Sequence, residues 1–300
     1  MNLKINEKYK SNAEFLKDYV QIVDINDDKV NEVVFTPRDY SDGNSNKRYG
    51  SIICLDKYKQ MIWEYTFSDT MFCDHEILIP EYEVNLIDTV EIKSQKVILC
   101  SANNVKSFSS AVFSLELKSG KRNHNTFWTS GHIWDGLVVD TGSLDKKYFV
   151  GIGGDNGFHD GAVWGMDLEK LYGYRPSTKE YIIKNQPETE FIFCIRLPKT
   201  DFDNFIGSTV VGISQGSLTY DRINKNFGFN SISYKEFWGE SIAGLQYTLS
   251  DNFKDFNISV TDQFKVHRNS LVANGTLKEP YTNTKEFVEL YKSKILYWQV

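Results

Sequence analysis

The sequence lacks the features that mark membrane, secreted or nucleic-acid-binding proteins. No apolar run approaches the roughly 18 residues that suggest a membrane-spanning helix, and the N-terminal stretch MNLKINEKYKSNAEF has no apolar core of a signal peptide. The net charge of −6 repels a phosphate backbone. We therefore expect a cytoplasmic protein with no membrane span and no nucleic-acid partner.

Cysteine is scarce, and its spacing excludes the common cysteine sites. The four cysteines are Cys54, Cys73, Cys100 and Cys194. No two stand at CxxC spacing, which argues against a zinc site or a redox pair. The HExxH phrase of zinc proteases is also missing from the sequence. We predict reduced thiols, no resident metal and no cofactor.

Aromatic residues are abundant and prolines are few, with 20 Phe, 17 Tyr, 6 Trp and 6 Pro. Aromatic and β-branched residues favour strands because they fit a half-buried pleated surface. Between Tyr19 and Phe67 the runs YVQIVDI, NEVVFTP, GSIICLD and QMIWEYTF are separated by turn-forming residues. Four short strands are the content of one β-propeller blade, so this region predicts an all-β fold built from such units.

One phrase of this unit recurs along the chain. GSIICLD is followed by SAVFSLE and then by GAVWGMD, with Leu55, Leu115 and Met166 in the same place. The copies are about 50 to 60 residues apart, and each has an acid after its last apolar residue. Self-similarity at such a period is typical of propellers and other repeat folds. Coincidence among β-hairpins is the alternative, because all hairpins share a period of two.

The stretches GSIICLDKYKQMIW and AVFSLELKSGK resemble the repeat of quinoprotein-type (PQQ-like) β-propellers. The matching positions are Gly50, Leu55, Asp56 and Trp63 in the first copy and Ala111, Leu115, Ser119, Gly120 and Lys121 in the second. The first copy lacks the Gly-Lys turn and has its Trp one residue early, and the third copy lacks the turn altogether. The resemblance spans about residues 20–200.

This resemblance implies a propeller-like domain of about five to seven four-stranded blades, or an incomplete ring. In the redox members of the family, two adjacent cysteines form a disulfide beside the quinone. No two cysteines are adjacent here, so the resemblance points to the non-enzymatic branch of these propellers.

The two ends of the chain have a different pattern from its middle. Residues 1–17 predict a helical lead-in, in which Ser11 and Glu14 form a capping box. Residues 18–250 form the predicted propeller-like domain. Residues 251–300 predict a β-α-α appendage, and its last residues, ILYWQV, leave open that the chain was cut from something larger.

Two helices are expected in this appendage. Asp262 is the candidate N-cap of the first, and Gly275 stands where a left-handed C-cap is needed. Asn283 caps the second, whose apolar face is predicted to continue as far as Trp298.

The best candidate for a binding site is the glycine-rich stretch GIGGDNGFHDGAVW, residues 151–164. The candidate ligand-contacting residues are Trp134, Asp155, Asn156, His159, Asp160 and Trp164. Closely spaced oxygens and turning glycines also suit Ca²⁺. A plain structural turn is the favoured interpretation of the loop, because tight hairpins need glycine.

A second polar stretch, CDHE at Cys73–Glu76, places several potential metal ligands in a row. Successive side chains of an extended strand point to opposite sides, so they do not converge easily on one ion. We interpret this stretch as a polar loop between sheets.

These observations favour a non-enzymatic binding or scaffolding module, in which loops on one rim contact a protein or a small ligand. One rival prediction is a hydrolase or lyase that acts on a sugar-like substrate at a central funnel. Another is a sensor domain of a larger signalling protein. The fold alone decides among none of these, since propellers host many activities.

Overall fold

The structure, a computed structural model, describes residues 19–37, 50–107, 109–140, 146–235 and 240–299. Within these ranges the chain is mostly β, and its strands form several antiparallel sheets. The all-β class is therefore confirmed. The predicted lead-in helix over residues 1–17 lies outside the described residues.

The first sheet contains the four strands that the sequence predicts between Tyr19 and Phe67. They pair in chain order. Their bounds are β1 (Val20–Val23), β2 (Glu32–Phe35), β3 (Ser51–Leu55) and β4 (Met61–Thr66). A short hairpin follows, made of β5 (Met71–Phe72) and β6 (Ile77–Leu78).

The second and third sheets repeat this four-stranded antiparallel arrangement. The second contains β7 (Tyr82–Ile92), β8 (Gln95–Asn104), β9 (Ser110–Glu116) and β10 (Arg122–Thr129). The third begins with β11 (Ile133–Asp140), β12 (Lys147–Asp155) and β13 (Asp160–Asp167). A long connection, residues 168–192, carries β14 (Gly173–Tyr174) to the edge of the second sheet, where it pairs parallel with β10. The chain then returns to the third sheet as β15 (Phe193–Leu197).

The fourth sheet follows a short helix, α1 (Asp201–Phe205). Its strands are β16 (Gly212–Ile213), β17 (Thr219–Asp221), β18 (Asn226–Lys235), β19 (Glu240–Ser250) and β20 (Phe256–Val260). Both β16 and β17 pair with β18, at different places along it. The chain ends with α2 (Asp262–Ala273), α3 (Lys285–Lys292) and β21 (Leu296–Gln299).

The recurring phrase occupies equivalent strands. Its three copies lie on β3, β9 and β13, each of which is third in its sheet. The acid after the first copy, Asp56, accepts hydrogen bonds from the backbone amides of Tyr58 and Gln60, both at 2.8 Å. This acid therefore stabilises the turn between β3 and β4.

A tryptophan on the outer strand of the first sheet joins the first two sheets. Nε1 of Trp63, on β4, donates a hydrogen bond to the carbonyl of Leu117 at 2.8 Å. Gly120 lies under the indole with φ of +67°, and a Cβ placed there would come within 2.6 Å of the ring. Only glycine suits both this close approach and this backbone conformation.

Neighbouring sheets share apolar cores, which explains why the middle strands are apolar on both faces. On β8, Ile98 and Cys100 pack towards the first sheet, whereas Leu99 between them packs towards the third. On β13, Trp164 faces the second sheet and Val163 faces the fourth. Successive side chains of a strand point to opposite faces, so a strand between two sheets must be apolar throughout.

The C-terminal helices form near the predicted positions, but their caps lie one residue from the predicted ones. Thr261 caps α2 by accepting a hydrogen bond from the Phe264 amide, so Asp262 lies in the first turn instead. Thr284, in place of Asn283, caps α3. Gly275 has the expected positive φ, +79°.

The prediction that the last helix continues to Trp298 is wrong. The helix ends at Lys292, and β21 pairs antiparallel with the open edge of β15. Tyr297 and its neighbours suit a strand, and pairing satisfies edge groups of β15 that a helix would leave open.

The strand predicted for the appendage, β20, pairs with β19, so sheet four extends across the predicted boundary at residue 250. None of the described helices is long and apolar enough to cross a membrane.

Candidate functional site

The glycine-rich stretch forms the hairpin between β12 and β13. Asp155 and Asp160 face each other as the last pair of its ladder, and the four residues between them make the turn. His159 holds a left-handed conformation, with φ of +57°. This conformation is uncommon for a residue with a side chain, and it leaves the His159 side chain exposed.

Asp155 is fully buried and is held from several sides. Its Oδ1 accepts hydrogen bonds from the Phe158 amide and from Ser177 Oγ, each at 2.9 Å. Its Oδ2 lies 2.7 Å from Nη2 of Arg175, a charge contact without hydrogen-bond geometry. Arg175 also donates to the Gly154 carbonyl and to Thr129 Oγ1, both at 3.0 Å. This pair therefore fastens the connection 168–192 between sheets two and three.

Asp160 and Trp164 also face the interior. Arg196 Nε donates to Oδ2 of Asp160 at 2.9 Å, and its guanidinium lies 3.5 Å from the centre of the Phe158 ring. Burial raises the pKa of the Asp160 carboxyl, although Arg196 acts in the opposite direction. Trp164 is fully buried, and the Arg175 guanidinium lies 5.2 Å from its ring centre.

An open cleft of about 590 Å³ lies on the outer side of this hairpin. Its walls come from the loops after β5, β8, β10 and β12, from the connection 168–192 and from the residues before β16. Three of the six predicted site residues line it: Trp134, Asn156 and His159. The other three, Asp155, Asp160 and Trp164, lie behind the cleft wall in the contacts described above.

Trp134 is positioned by the backbone of the hairpin. A Cβ added to Gly154 would come within 3.3 Å of the indole, so the ring packs directly on that glycine. Trp134 is half-buried and also contacts the core between sheets three and four. The cleft wall at this point is therefore a rigid aromatic surface.

The lining also contains residues outside the predicted six. The rings of His75 and Tyr181 are stacked, with centroids 4.6 Å apart. The amide of His75 donates to the Glu180 carbonyl at 2.9 Å, and Lys184 pairs with Asp74 at 2.7 Å. These contacts attach the connection 168–192 to the hairpin of β5 and β6.

The charged groups of the cleft are largely satisfied by the protein itself. Lys106 Nζ lies 2.7 Å from Oε1 of Glu81, outside the cleft lining. Burial lowers the pKa of His132, and its Nε2 lies 3.1 Å from the Asn104 carbonyl. Burial raises the pKa of Glu76, whose Oε1 accepts a hydrogen bond from Ser109 at 3.1 Å.

Metal ligation and thiol chemistry find little support in the described residues. Among them no group of three or more His, Cys, Asp or Glu side chains is placed to hold a metal ion. All four cysteines are free and buried. Burial raises the pKa of Cys54 to about 12 and that of Cys194 to about 11, which makes thiolate formation unfavourable near neutral pH.

The missed residues share no local sequence signal. His75, Lys106 and Tyr181 belong to separate loops that the fold brings to one rim. The CDHE stretch was noticed as polar, but its neighbour in space, Tyr181, lies about a hundred residues further along the chain. Only the four-stranded repeat could have indicated that these loops meet.

Comparison with known proteins gives little beyond the geometry. No family model matches the chain, and no curated protein matches it. Several solved structures are similar, among them one titled a bifunctional GH43-CE from Bacteroides eggerthii. The likeness covers 84% of this chain and 29% of that one, at 9% identity and a TM-score of 0.34. The chain thus spans less than a third of the length of that structure.

Proposed function

We propose that the protein is a non-enzymatic binding module that takes a small polar ligand into the cleft beside Trp134 and Tyr181. The observation that carries this proposal is the cleft itself. Side chains from loops distant in sequence converge there, and the sheets behind them are packed on both faces. A concave site of this kind, with aromatic walls and a few polar groups, is the usual form of a small-molecule site.

We further propose that the four sheets are blades of an incomplete propeller. In each of the first three sheets, four antiparallel strands pair in the order in which they occur along the chain, and neighbouring sheets share apolar cores. The first strands of the sheets are also neighbours, since β7 contacts both β1 and β11. In this arrangement the cleft lies on one rim, where the loops after the second strands meet.

The lining of the cleft favours binding over glycoside hydrolysis. Most glycosidases need two carboxyl groups at the scissile bond. Glu76 is the one acidic residue among the described lining residues. Asp155 and Asp160 stand behind the wall, each paired with an arginine. The hydrolase or lyase, the sensor domain and the quinoprotein resemblance stay predictions.

Saturation-transfer NMR with a library of small polar compounds tests the binding proposal. We expect several compounds to give signals with the wild-type protein and to lose them with Tyr181→Ala. Tyr58→Ala is the matched control, because Tyr58 is 70% exposed and lies on the turn between β3 and β4, away from the cleft. Binding that Tyr181→Ala leaves unchanged, or no binding at all, would overturn the proposal.

A further inference from the structure

We infer that the cleft selects a neutral saccharide over charged ligands, an inference that rests on the proposed function. It follows from three properties of the cleft: its charge, its aromatic walls and the kind of hydrogen-bonding groups that line it.

The first property is charge balance. Lys106, the one lysine among the described lining residues, is paired with Glu81 at 2.7 Å. Burial lowers the pKa of the His132 imidazole, which favours its neutral form. The carboxylate of Glu76 accepts a hydrogen bond from Ser109 at 3.1 Å. Among the described lining residues, a phosphate or carboxylate ligand would meet no lysine or arginine other than Lys106, and an ammonium ligand would meet a single carboxylate, that of Glu76.

The second property is the presence of two aromatic surfaces in the lining. Tyr181 is half-buried under the His75 ring, which fixes its orientation, and Trp134 is fixed on the Gly154 backbone. The face of an aromatic ring carries partial negative charge and attracts weakly positive C–H groups. The C–H faces of a sugar ring offer such groups, so a saccharide has an apolar face for these walls.

The third property is the supply of neutral hydrogen-bonding groups. Ser107, Asn156 and Thr209 line the cleft together with Glu76. Hydroxyl and amide side chains both donate and accept, whereas a carboxylate only accepts. The hydroxyl groups of a sugar also donate and accept, so they match this set without adding a charge. The volume of about 590 Å³ falls within the usual range of small-molecule sites, about 300–1,000 Å³.

An array of oligosaccharides followed by calorimetry tests this inference. The array holds neutral trisaccharides of the common hexoses and pentoses, with trigalacturonate as the anionic probe and chitosan trimer as the cationic probe. We expect at least one neutral trisaccharide to bind ten or more times more tightly than either charged probe. Tyr181→Ala and the exposed-ring variant His75→Ala should each lower that affinity about tenfold or more, and Tyr58→Ala should leave it unchanged.

Two results would overturn the inference and separate it from the proposed function. If a charged probe binds more tightly than every neutral one and Tyr181→Ala abolishes that binding, the ligand class is wrong and the cleft still binds ligands. If no saccharide binds, the class is also wrong. The small-compound library with Tyr181→Ala then decides independently whether the cleft is a binding site.

Discussion

Asp155 and His159 belong to the same turn, yet the fold uses them in opposite ways. Asp155 is fully buried and its charge is compensated by Arg175, which ties sheet three to sheet two. His159 is exposed at the cleft, four positions later, in a left-handed conformation. The comparison teaches that the acidic ends of a polar loop can serve the fold while a residue between them is presented to solvent.

The largest expected effect on stability comes from a substitution of the buried Asp155. Asp155→Ala removes the partner of a guanidinium that is 1% exposed, and leaving a buried charge unpaired costs about 3–5 kcal/mol. We expect a loss of this size in the free energy of unfolding, measured by urea denaturation. Asp255→Ala, at an exposed acid near β20, is the control and should change stability by less than about 0.5 kcal/mol. If Asp155→Ala and Asp255→Ala are equally stable, Asp155 does not have the structural role described here.

Asp160 should give an intermediate effect. Its pairing with Arg196 is less deeply buried, with side-chain exposures of 12% and 14%. A hydrogen bond to a charged group is worth about 1.5–3 kcal/mol, so Asp160→Ala should destabilise the protein by about that amount. Urea denaturation at pH 7 measures it, and a loss as large as that of Asp155→Ala would contradict the ranking.

The pH dependence of stability tests whether burial or the pairing with Arg196 dominates the pKa of Asp160. Burial raises the pKa of its carboxyl in the folded state, so the folded chain holds this proton more tightly than the unfolded chain does. Its contribution to the free energy of unfolding therefore increases as the pH falls through the raised pKa towards the unfolded value of about 3.9. The stability difference between wild type and Asp160→Asn should grow in the same direction. A difference that shrinks on acidification would mean that the pairing with Arg196 outweighs burial.

The smallest effect on stability is expected at His159. Glycine adopts positive φ without the steric cost that other residues meet, so His159→Gly should leave stability unchanged or raise it by up to about 1 kcal/mol. The same variant removes a ring from the cleft wall and should weaken the binding of any ligand found there. Thermal unfolding and calorimetry on the same sample separate the two effects. A variant that is less stable but binds ligand as tightly as wild type would show that His159 serves the fold, as Asp155 does.

Local patterns in the sequence predicted the strands, because strands such as β8 and β13 are apolar on both faces. The recurring phrase marks β3, β9 and β13 and so gives the equivalence of three sheets. The same apolar character misled the prediction at Leu296–Gln299, where a helical spacing was read into residues that form a strand. These residues form a strand and not a helix because they pair with the open edge of β15. That edge exists only in the folded protein.

The candidate site was predictable only in part, and for a related reason. The glycine-rich turn is recognisable as a loop in the sequence. The burial of Asp155 and the exposure of His159, however, cannot be read from the composition of that loop. Arg175, the partner of Asp155, comes from the connection 168–192, which crosses to sheet two as β14. Tyr181 enters the cleft on the same connection. A long-range crossover of this kind has no local signature in one sequence.

A smaller groove at the other end of the strands gives the main alternative location for a ligand. It encloses about 270 Å³ beside Asn123, His124 and Asn125, where the ladder between β9 and β10 is irregular. Its position next to the turn between β7 and β8 puts it at the opposite end of sheet two from the cleft. The two locations therefore predict different places for bound molecules.

A crystallographic soak of the protein with a library of small polar fragments tests the central claim most directly. The account predicts that bound fragments concentrate between Trp134 and Tyr181, with hydrogen bonds to Asn156 or Glu76. Fragments that gather in the groove beside His124, with the cleft left empty, would contradict it.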